Sequence, residues 1–484
     1  MVFSNTLLAG SSAQGGSVHS IEQSIRFNDD DSAYMSRTLS ASNRKTFTIS
    51  LWAKRSNLNS NMNMFGPQTN NTGSGTYGVL RFPTGDTLEF FDYTNGTTNW
   101  FYSTSTRVFR DSSAWYHIVA SFDTTNAIPS ERIKVYINGQ RETGWSGNSY
   151  PTLNYEGQWN NNLSHEIGAI QRGSTNQYFD GYLSEIVFLD GTATDCNSFG
   201  EFNDSGIWIP KDVSGLTFGT NGFHIDGRDA SDLGDDESGN GNDFTTSGLS
   251  SADQMADTPT NNHAVMNLLD TNTTPNWTAS NGNLDISWVG PNYTNHLFST
   301  LSMPPTGKWY FEIKFVSDSN TILLNQSMRI GLMRDDFNAA MVQTTYAGVN
   351  LTDSATDPEI YLVLGNAGNS CQLKGMGNSI YNVGGSISAG DVINFAREGT
   401  NLWVGKNGTY YNSGNPATGS NPSLSDLQLK SYRANMHWTQ TSSSHGTAVV
   451  HAFFGADKSV GSGTGFNNTV PSGFLALNTT NLGS

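Results

Sequence analysis

Cysteine, basic residues and long apolar runs are all scarce in this sequence. Its 484 residues include 2 cysteines, and 25 Lys and Arg stand against 42 Asp and Glu, for a net charge of −17. Two distant cysteines, Cys196 and Cys371, support no disulfide framework. The acidic balance argues against nucleic-acid binding and against docking on anionic membranes. No apolar run is long enough to span a bilayer, so we predict no membrane insertion.

The first residues also lack what a signal peptide needs. The stretch "MVFSNTLLAGSSAQGG" has no basic segment and only a short apolar run, so we predict that it is not a signal peptide. Residues 1–17 are either a disordered tail or an arm that becomes ordered against a partner. In the second case the apolar anchors are Val2, Phe3, Leu7 and Leu8.

Aromatic residues are plentiful although charged residues are few. Charged residues make up 14% of the chain, against roughly 25% in an average domain. The chain has 26 Phe, 18 Tyr and 11 Trp, which can bury a large area and which disordered chains lack. We therefore predict a folded, β-rich protein whose surface is covered mainly by Asn, Ser, Thr and Gly.

Two stretches predict β-hairpins in separate parts of the chain. "RIKVYINGQRETGW" (132–145) and "NLWVGKNGTYYNSG" (401–414) both alternate apolar and polar residues around an Asn-Gly pair. Asn-Gly favours the type I′ turn, which needs a positive φ at both central residues. One hairpin lies in each half of the sequence, so we expect two β domains.

Residues 18–190 read as one series of strands that closes with residues 179–191. In "TFTISLWAKR" the apolar residues alternate, and "AWYHIVASFD" is apolar on both faces, as in a central strand. Simple alternation predicts that one face of the closing strand carries Leu183, Val187 and Leu189. The other face would carry Tyr182, Ile186 and Phe188.

The rest of the chain divides by composition. Residues 191–262 are acidic and rich in Gly and Asn, which indicates an irregular connector. Strands resume in 263–456, where "GKWYFEIKFV" is the strongest, and 457–484 form a short tail that packs back on the domains. The predicted fold is all-β: two antiparallel β-sandwiches joined by the connector.

Several motifs resemble known families. "WYHIVASFD", "KVYINGQ" and "FDGYLSEIVFLDG" resemble the laminin-G-like jelly roll of the concanavalin A type. "GKWYFEIKF", "RIGLM" and "GDVINFAREGTNLWVGKNGTYYNSG" resemble the SPRY sandwich. The whole tandem, with "DESGNGNDFT" and "PSGFLALNTTNL", is similar to virion proteins of marine bacteriophages. The resemblance implies a jelly roll followed by a SPRY-like domain in a particle component.

Enzyme signatures are absent from the sequence. Glycosidases of this fold need a cluster of carboxylates on one strand, whereas Glu185 and Glu312 are lone acids that we predict to be solvated on outer faces. No GxSxG, HExxH or CxxC motif occurs. His117 and His224 lie among apolar residues, and we interpret them as hydrogen-bonded structural histidines. We predict that the protein is not an enzyme.

One loop could suit calcium. "DDESGNGND" (235–243) offers oxygen ligands, and Asp236, Ser238 and Asn240 fit the spacing of a calcium loop. The twelfth position is Ser247 rather than Glu, so a purely structural turn is the alternative. We predict no other cofactor.

A sugar site is the remaining candidate. Carbohydrate sites stack an apolar sugar face on Tyr or Trp and bind its hydroxyls with Asn, Asp and Gln. The aromatic residues that we select as ligand-binding candidates are Tyr410, Tyr411, Trp145 and Trp159.

Together these features predict a non-enzymatic phage virion protein, exposed on the particle as a homo-oligomer. Residues 1–17 would bind other virion proteins, and the sandwiches would bind a host-surface glycan through many weak contacts. The first alternative is a purely architectural capsid decoration or tail-joining protein. A polysaccharide-degrading tail enzyme is the second.

Overall fold

The structure is a computed structural model. It describes residues 19–69, 75–93, 101–171, 176–270, 277–288, 295–318, 328–337, 359–363, 371–375, 381–382, 386–438 and 447–483. These residues form two compact units that divide between Asn262 and His263. We refer to the described residues 19–262 as the N-terminal unit and to 263–483 as the C-terminal unit.

Twenty strands are described in the N-terminal unit. They are β1 (Ser24–Phe27), β2 (Tyr34–Thr38), β3 (Thr46–Arg55), β4 (Met62–Gln68), β5 (Tyr77–Phe82), β6 (Glu89–Tyr93), β7 (Phe101–Ser105), β8 (Trp115–Asp123), β9 (Ile133–Ile137), β10 (Gln140–Arg141), β11 (Trp145–Ser149), β12 (Ser164–Ile167), β13 (Ala169–Ile170), β14 (Gln177–Tyr178), β15 (Gly181–Asp190), β16 (Gly200–Phe202), β17 (Trp208–Pro210), β18 (Phe223–Ile225), β19 (Thr245–Ser247) and β20 (Gln254–Met255). Short 3-10 turns are described at Asp29–Asp31, Pro129–Glu131, Cys196–Ser198 and Ser251–Asp253.

Two large antiparallel sheets with one core between them form most of this unit, and β13-β14 and β16-β17 are two further two-stranded sheets. The first large sheet has the order β10-β9-β8-β3-β15-β1-β20, with β18 beside β15, and the second has the order β11-β7-β6-β5-β4-β12-β2-β19. The alternating apolar residues of β3 all point into the core: Phe47, Ile49, Leu51 and Ala53. Period-two alternation of this kind produces a two-layer sandwich, which confirms the predicted all-β fold class.

Both Asn-Gly turns are formed as predicted. Asn138 and Gly139 have φ of 47° and 78°, and they connect β9 to β10. In the C-terminal unit, Asn407 and Gly408 have φ of 51° and 79°. Positive φ at both central residues is the signature of the type I′ turn.

A β-bulge changes the alternation in β15. The pairing of β15 with β3 shifts register around Glu185, whose φ is 48°. An extra residue reverses the faces of all later side chains, because the period of a strand is two. The apolar residues of β15 in the core cluster are therefore Leu183, Ile186 and Phe188. The prediction that Leu183 shares its face with Val187 and Leu189 is wrong for this reason.

Residues 191–262 belong to the N-terminal unit instead of forming a connector. They contribute β18 beside β15, β19 beside β2 and β20 beside β1, so both sheets gain strands. A buried ion pair also holds these residues to the N-terminal unit, since Lys54 Nζ lies 2.6 Å from Asp257 Oδ2. Trp115 Nε1 donates to the other oxygen of Asp257 at 3.0 Å.

Fifteen strands are described in the C-terminal unit. They are β21 (Met266–Asn267), β22 (Trp277–Ser280), β23 (Asp285–Trp288), β24 (Asn295–Met303), β25 (Lys308–Asp318), β26 (Met328–Arg334), β27 (Glu359–Val363), β28 (Gln372–Gly375), β29 (Tyr381–Asn382), β30 (Val392–Glu398), β31 (Asn401–Lys406), β32 (Thr409–Tyr410), β33 (Tyr432–Trp438), β34 (Ala448–Phe453) and β35 (Leu475–Ala476). Helical turns are described at Tyr411–Ser413, Pro416–Thr418, Gly461–Gly463 and Thr479–Leu482.

These strands form two sheets. Their orders are β21-β24-β33-β26-β27-β28-β29 and β22-β23-β34-β25-β30-β31-β32, with β35 parallel to β25. Cys371 in this unit and Cys196 in the other are both buried, and they form no disulfide bond. Among the described residues of either unit, no helix is long and apolar enough to cross a membrane.

Glu312, on β25, is a buried hydrogen-bond acceptor and not a solvated residue. Its side chain is fully enclosed. The Tyr310 hydroxyl donates to Oε1 at 2.6 Å, and the backbone N–H groups of Asn467 and Asn468 donate to Oε2 and Oε1 at 2.7 and 3.0 Å. The carboxylate therefore fastens the irregular C-terminal stretch to the sheet, and the prediction of a solvated Glu312 is wrong.

We expect Glu312→Gln to lower the unfolding free energy of the C-terminal unit by about 3 kcal/mol, because an amide presents donor hydrogens to groups that are themselves donors. Urea unfolding followed by tryptophan fluorescence measures this. Glu398→Gln, which alters an exposed ion pair with Lys308, is the control. Equal stability of the two variants would contradict the role given to Glu312.

A second buried carboxyl group, that of Glu166, can also be tested, because its ionisation is coupled to folding. Burial raises the pKa of this β12 carboxyl to about 7. The folded protein therefore binds a proton at pH values where the unfolded chain has released it, and stability falls as pH rises from 4.5 through 7.

We expect Glu166→Gln to remove this loss, which amounts to at most about 3 kcal/mol. The advantage of the variant over the wild type in urea unfolding should be larger at pH 8 than at pH 5. If the unfolding free energies of the variant and the wild type differ by the same amount at both pH values, the raised pKa of Glu166 is refuted. Exposed Glu156→Gln is the control.

Candidate functional site

A cleft lies at the free edges of the N-terminal unit's two sheets. It has a volume of about 200 Å³ and is formed around β10 and β11, each the terminal strand of its sheet. Strands at sheet edges leave side chains and backbone groups available to ligands. The residues that line the cleft are Ser103, Ser130, Ile133, Arg141, Glu142, Thr143, Trp145, Asn148 and Tyr150.

A bulge in β11 brings the important side chains to the same side. Trp145 and Asn148 are three positions apart, and in a regular strand they would face in opposite directions. The pairing of β11 with β7 shifts register between Trp145 and Gly147. The additional residue lets Trp145, Asn148 and Tyr150 all line the cleft.

Two aromatic rings supply the apolar surface. Trp145 is half-buried and packs against the core of the sandwich. Tyr150 is 37% exposed. A ring that is fixed on one side by the core and open on the other provides a rigid platform for an apolar ligand face.

A short hydrogen-bonded chain supplies the polar groups. Ser103 Oγ donates to Asn148 Oδ1 at 3.0 Å, and Asn148 Nδ2 donates to the Tyr150 hydroxyl at 2.8 Å. These contacts fix the orientation of the Asn148 amide. Its second N–H and the Tyr150 hydroxyl can then engage ligand hydroxyls without reorganisation.

The charges around the cleft are paired within the protein. Arg141 Nη2 lies 2.9 Å from Glu131 Oε1. The buried Glu142 accepts from the backbone N–H groups of Thr143 and Gly144, and its other oxygen lies 3.0 Å from Arg107 Nε. Glu142 is the one carboxylate among the lining residues. The arrangement therefore suits binding of a hydroxyl-rich ligand with an apolar face, and it does not provide the pair of carboxylates that glycoside hydrolysis requires.

Of the aromatic residues predicted from the sequence, Trp145 lies in the cleft and Trp159 does not. Trp159 is 1% exposed, and its ring centroid is 5.3 Å from that of Phe90 and 5.6 Å from that of Phe65. It is a core residue, so its prediction as a ligand-binding residue is wrong. The polar, Asn-rich sequence that follows it gives no sign of this burial.

Tyr410 and Tyr411 are half-buried in the C-terminal unit. The Tyr410 ring packs against a cluster that contains Trp403, Phe466 and Phe474. Burial raises the pKa of both tyrosine hydroxyls. Tyr410 therefore has a packing role, and a ligand role for the pair stays a prediction.

The structure assigns the candidate calcium residues to a turn. Asp236 Oδ1 accepts from the backbone N–H groups of His224 and Ser238, at 2.8 and 2.9 Å. Its Oδ2 accepts from Ser238 Oγ at 2.7 Å and from Asn242 N at 2.8 Å. Asn240 donates its amide to two backbone oxygens. Because these bonds occupy the Asp236 carboxylate, the alternative of a structural turn fits this loop.

The two histidines singled out in the sequence differ in the groups that they contact. His117 is buried, and its ring accepts from Trp208 Nε1 at 2.9 Å and contacts Ser50 Oγ at 2.9 Å. Burial lowers its pKa to about 3, which confirms a structural histidine. His224 Nε2 lies 3.0 Å from Glu185 Oε2. Glu185 is therefore buried and paired, and the prediction that it is solvated is wrong because the bulge turns its side chain toward His224.

Sequence reasoning missed most of the cleft. No spacing of residue types in the sequence marks Ser103, Arg141, Glu142 or Asn148 as ligand-binding residues. The nearest feature of the sequence that points to this region is the Asn-Gly turn just before Arg141. The proposed arm residues Val2, Phe3, Leu7 and Leu8 lie outside the described residues.

The family model that matches this chain covers part of the N-terminal unit. Residues 27–196 match the family model of the Concanavalin A-like lectin/glucanases superfamily. No curated protein matches the chain. The solved structure of a candidate carbohydrate binding protein from Bacteroides ovatus is 17% identical to this chain, with a TM-score of 0.32. The match covers 47% of this chain and 58% of that protein, so it spans less than two thirds of the length of that protein.

Two further solved structures show similar likenesses. Domain 4 of the arabinanase AbnA from Geobacillus stearothermophilus, in complex with arabinotriose, is 20% identical over 32% of this chain and 64% of that chain, with a TM-score of 0.23. Mouse laminin alpha1 domains LG4-5 are 8% identical over 93% of both chains, with a TM-score of 0.28. The family model shows that residues 27–196 are similar to a concanavalin A-like domain of the laminin-G kind, as the sequence motifs predict.

Proposed function

We propose that the N-terminal unit binds carbohydrate in the Trp145 cleft and does so without catalysis. The observation that carries this proposal is the combination of a core-backed tryptophan with the Ser103–Asn148–Tyr150 hydrogen-bonded chain in one cleft. A sugar ring offers an apolar face for stacking and hydroxyls for the amide, so its chemistry matches both halves of the cleft. The match of residues 27–196 to the lectin and glucanase superfamily supports the same ligand class.

The charge pairs restrict the ligand further. Arg141 is neutralised by Glu131, and Glu142 by Arg107. A sulfated or uronic sugar would have to compete with Glu131 for Arg141. A neutral oligosaccharide therefore fits the cleft better than an acidic one, and its affinity should change little with salt.

We further propose that the protein is a structural component of a phage particle. Its sequence motifs support a SPRY-like C-terminal domain and a tandem typical of virion proteins. In this setting residues 1–17 dock the protein to the particle, and the exposed cleft binds a host-surface glycan. A homo-oligomer with several weak sites would gain avidity through effective concentration.

We expect Trp145→Ala to weaken glycan binding by at least about tenfold, or ~1.4 kcal/mol. The wild-type chain is first screened on an array of neutral and acidic oligosaccharides. The affinity of the oligosaccharide with the strongest signal is then measured by titration calorimetry for both proteins, at low and high salt.

The control is Phe202→Ala, which removes an aromatic ring that is 46% exposed on β16 and does not line the cleft. It should bind like the wild type. Binding that survives Trp145→Ala in a folded protein would refute the cleft as the site. An array with no signal would favour the purely architectural role, and release of reducing sugar would favour the tail enzyme.

A further inference from the structure

A second group of side chains in the C-terminal unit combines two histidines with a carboxylate. His296 on β24 lies directly opposite His437 on β33 in the strand register. Glu359 comes from β27, on the far side of β26. Gly331 on β26 has no side chain to fill the space between, so the Glu359 carboxylate can approach His437.

The ligand atoms of these three residues are close together. His437 Nδ1 lies 3.1 Å from Glu359 Oε1, and His296 Nδ1 lies 3.8 Å from the same oxygen. One ligand atom from each residue can be chosen so that all lie within 4.8 Å of one another. Nitrogen and oxygen ligands at about 2.0–2.1 Å from a tetrahedral ion are separated by roughly 3.3 Å, so the observed spacing allows one ion to bind all three residues. In the absence of an ion, the 3.1 Å contact between His437 and Glu359 is a hydrogen bond.

Both histidine rings are buried, and hydrogen bonds among the described residues satisfy each of them only in part. His296 and His437 are 1% and 0% exposed. The Nε2 atom of each ring is buried without a hydrogen-bond partner among the described residues. The Nδ1 atom of each ring, which lies on the side facing Glu359, is the atom that would bind a metal ion.

A neighbouring amide positions the group. Asn435 Nδ2 donates to Glu359 Oε1 at 2.6 Å, and its Oδ1 lies 3.3 Å from His296 Nδ1. Outer contacts of this kind fix the ligands of metal sites in orientation. Arg329 adds a positive charge nearby, and its guanidinium lies over the Tyr361 ring at 4.7 Å. This charge opposes every cation alike, so the choice of metal follows from the ligands. Two imidazoles and one carboxylate lack the several oxygen ligands that calcium and magnesium need, and they suit a transition metal ion that binds imidazole.

We propose that His296, His437 and Glu359 bind a divalent transition metal ion of the zinc class. Three ligands from three strands of one sheet would make the site rigid, and the ion would tie β24 and β33 to β27 across β26. The group Glu185, His224 and Asp226 in the N-terminal unit offers the same residue types. There Arg228 Nη2 already lies 2.6 Å from Asp226 Oδ2, so an arginine fills the place of a cation.

The test uses the full-length protein, expressed with added zinc and purified without chelator. We expect about one zinc per chain by mass spectrometry of the metal. After removal of the metal, Co²⁺ should bind one to one and produce the visible absorption bands of a low-symmetry nitrogen and oxygen site. His437→Asn and Glu359→Gln should weaken binding by more than the roughly 10- to 100-fold that loss of an outer contact costs.

His224→Asn is the matched control, since it alters the group that contains Arg228, and it should bind Co²⁺ like the wild type. If the variants at His437 or Glu359 fail to fold, the wild-type measurement decides alone. A wild-type protein that holds no zinc and shows no Co²⁺ bands would overturn the proposal. Loss of the bands in His224→Asn, with their retention in His437→Asn, would also overturn it.

Discussion

Buried carboxylates that accept several hydrogen bonds hold the irregular segments of this protein to its sheets. Asp190, at the end of β15, accepts from Ser42 Oγ at 2.7 Å and from the backbone N–H of Asn221 at 3.0 Å. Asp257 and Glu312 have the same role for residues near the ends of the two units. The chain has 14% charged residues, and the segments that these acids hold contain little regular structure. It therefore depends on a few fully satisfied acceptors, whose removal would leave several buried donors unpaired.

The order of the strands in the two sheets determines where a ligand can bind in the N-terminal unit. Residues 191–262 add β19 and β20 at one end of the two sheets, whereas β10 and β11 end the sheets on the opposite side. The cleft at β10 and β11 is lined by side chains that the fold does not fully cover. Because its charged residues are already paired, recognition there depends on the Trp145 ring and on oriented neutral polar groups. Weak, largely salt-independent binding is what such a surface offers.

Much of the fold could be predicted from the sequence, because it depends on local patterns. Alternation indicates β3, and a run that is apolar on both faces indicates β8. Asn138-Gly139 and Asn407-Gly408 specify their turns through a backbone requirement. The bulges at Glu185 and at Trp145–Gly147 could not be predicted, since an extra residue leaves no mark in composition. Each bulge reverses the faces that follow it, which is why the face assignment in β15 was wrong and why Asn148 was overlooked.

The candidate sites were harder to predict for a related reason. Trp145 was selected because aromatic residues in polar loops are candidates for sugar binding, but Trp159 has the same local sequence character and is buried. Burial depends on contacts with residues far away in the chain, such as Phe65 and Phe90. The grouping of His296, Glu359 and His437 likewise depends on strand register, which no local motif encodes.

The central claim is that a carbohydrate contacts Trp145 and Asn148 in the cleft. The most direct test records ¹H–¹⁵N spectra of the labelled full chain during titration with the oligosaccharide that binds most strongly. The account predicts that the Trp145 indole N–H and the Asn148 side-chain amide shift in a saturable way, while the Trp159 indole stays nearly unchanged. Saturable shifts that leave both cleft groups unaffected would contradict it.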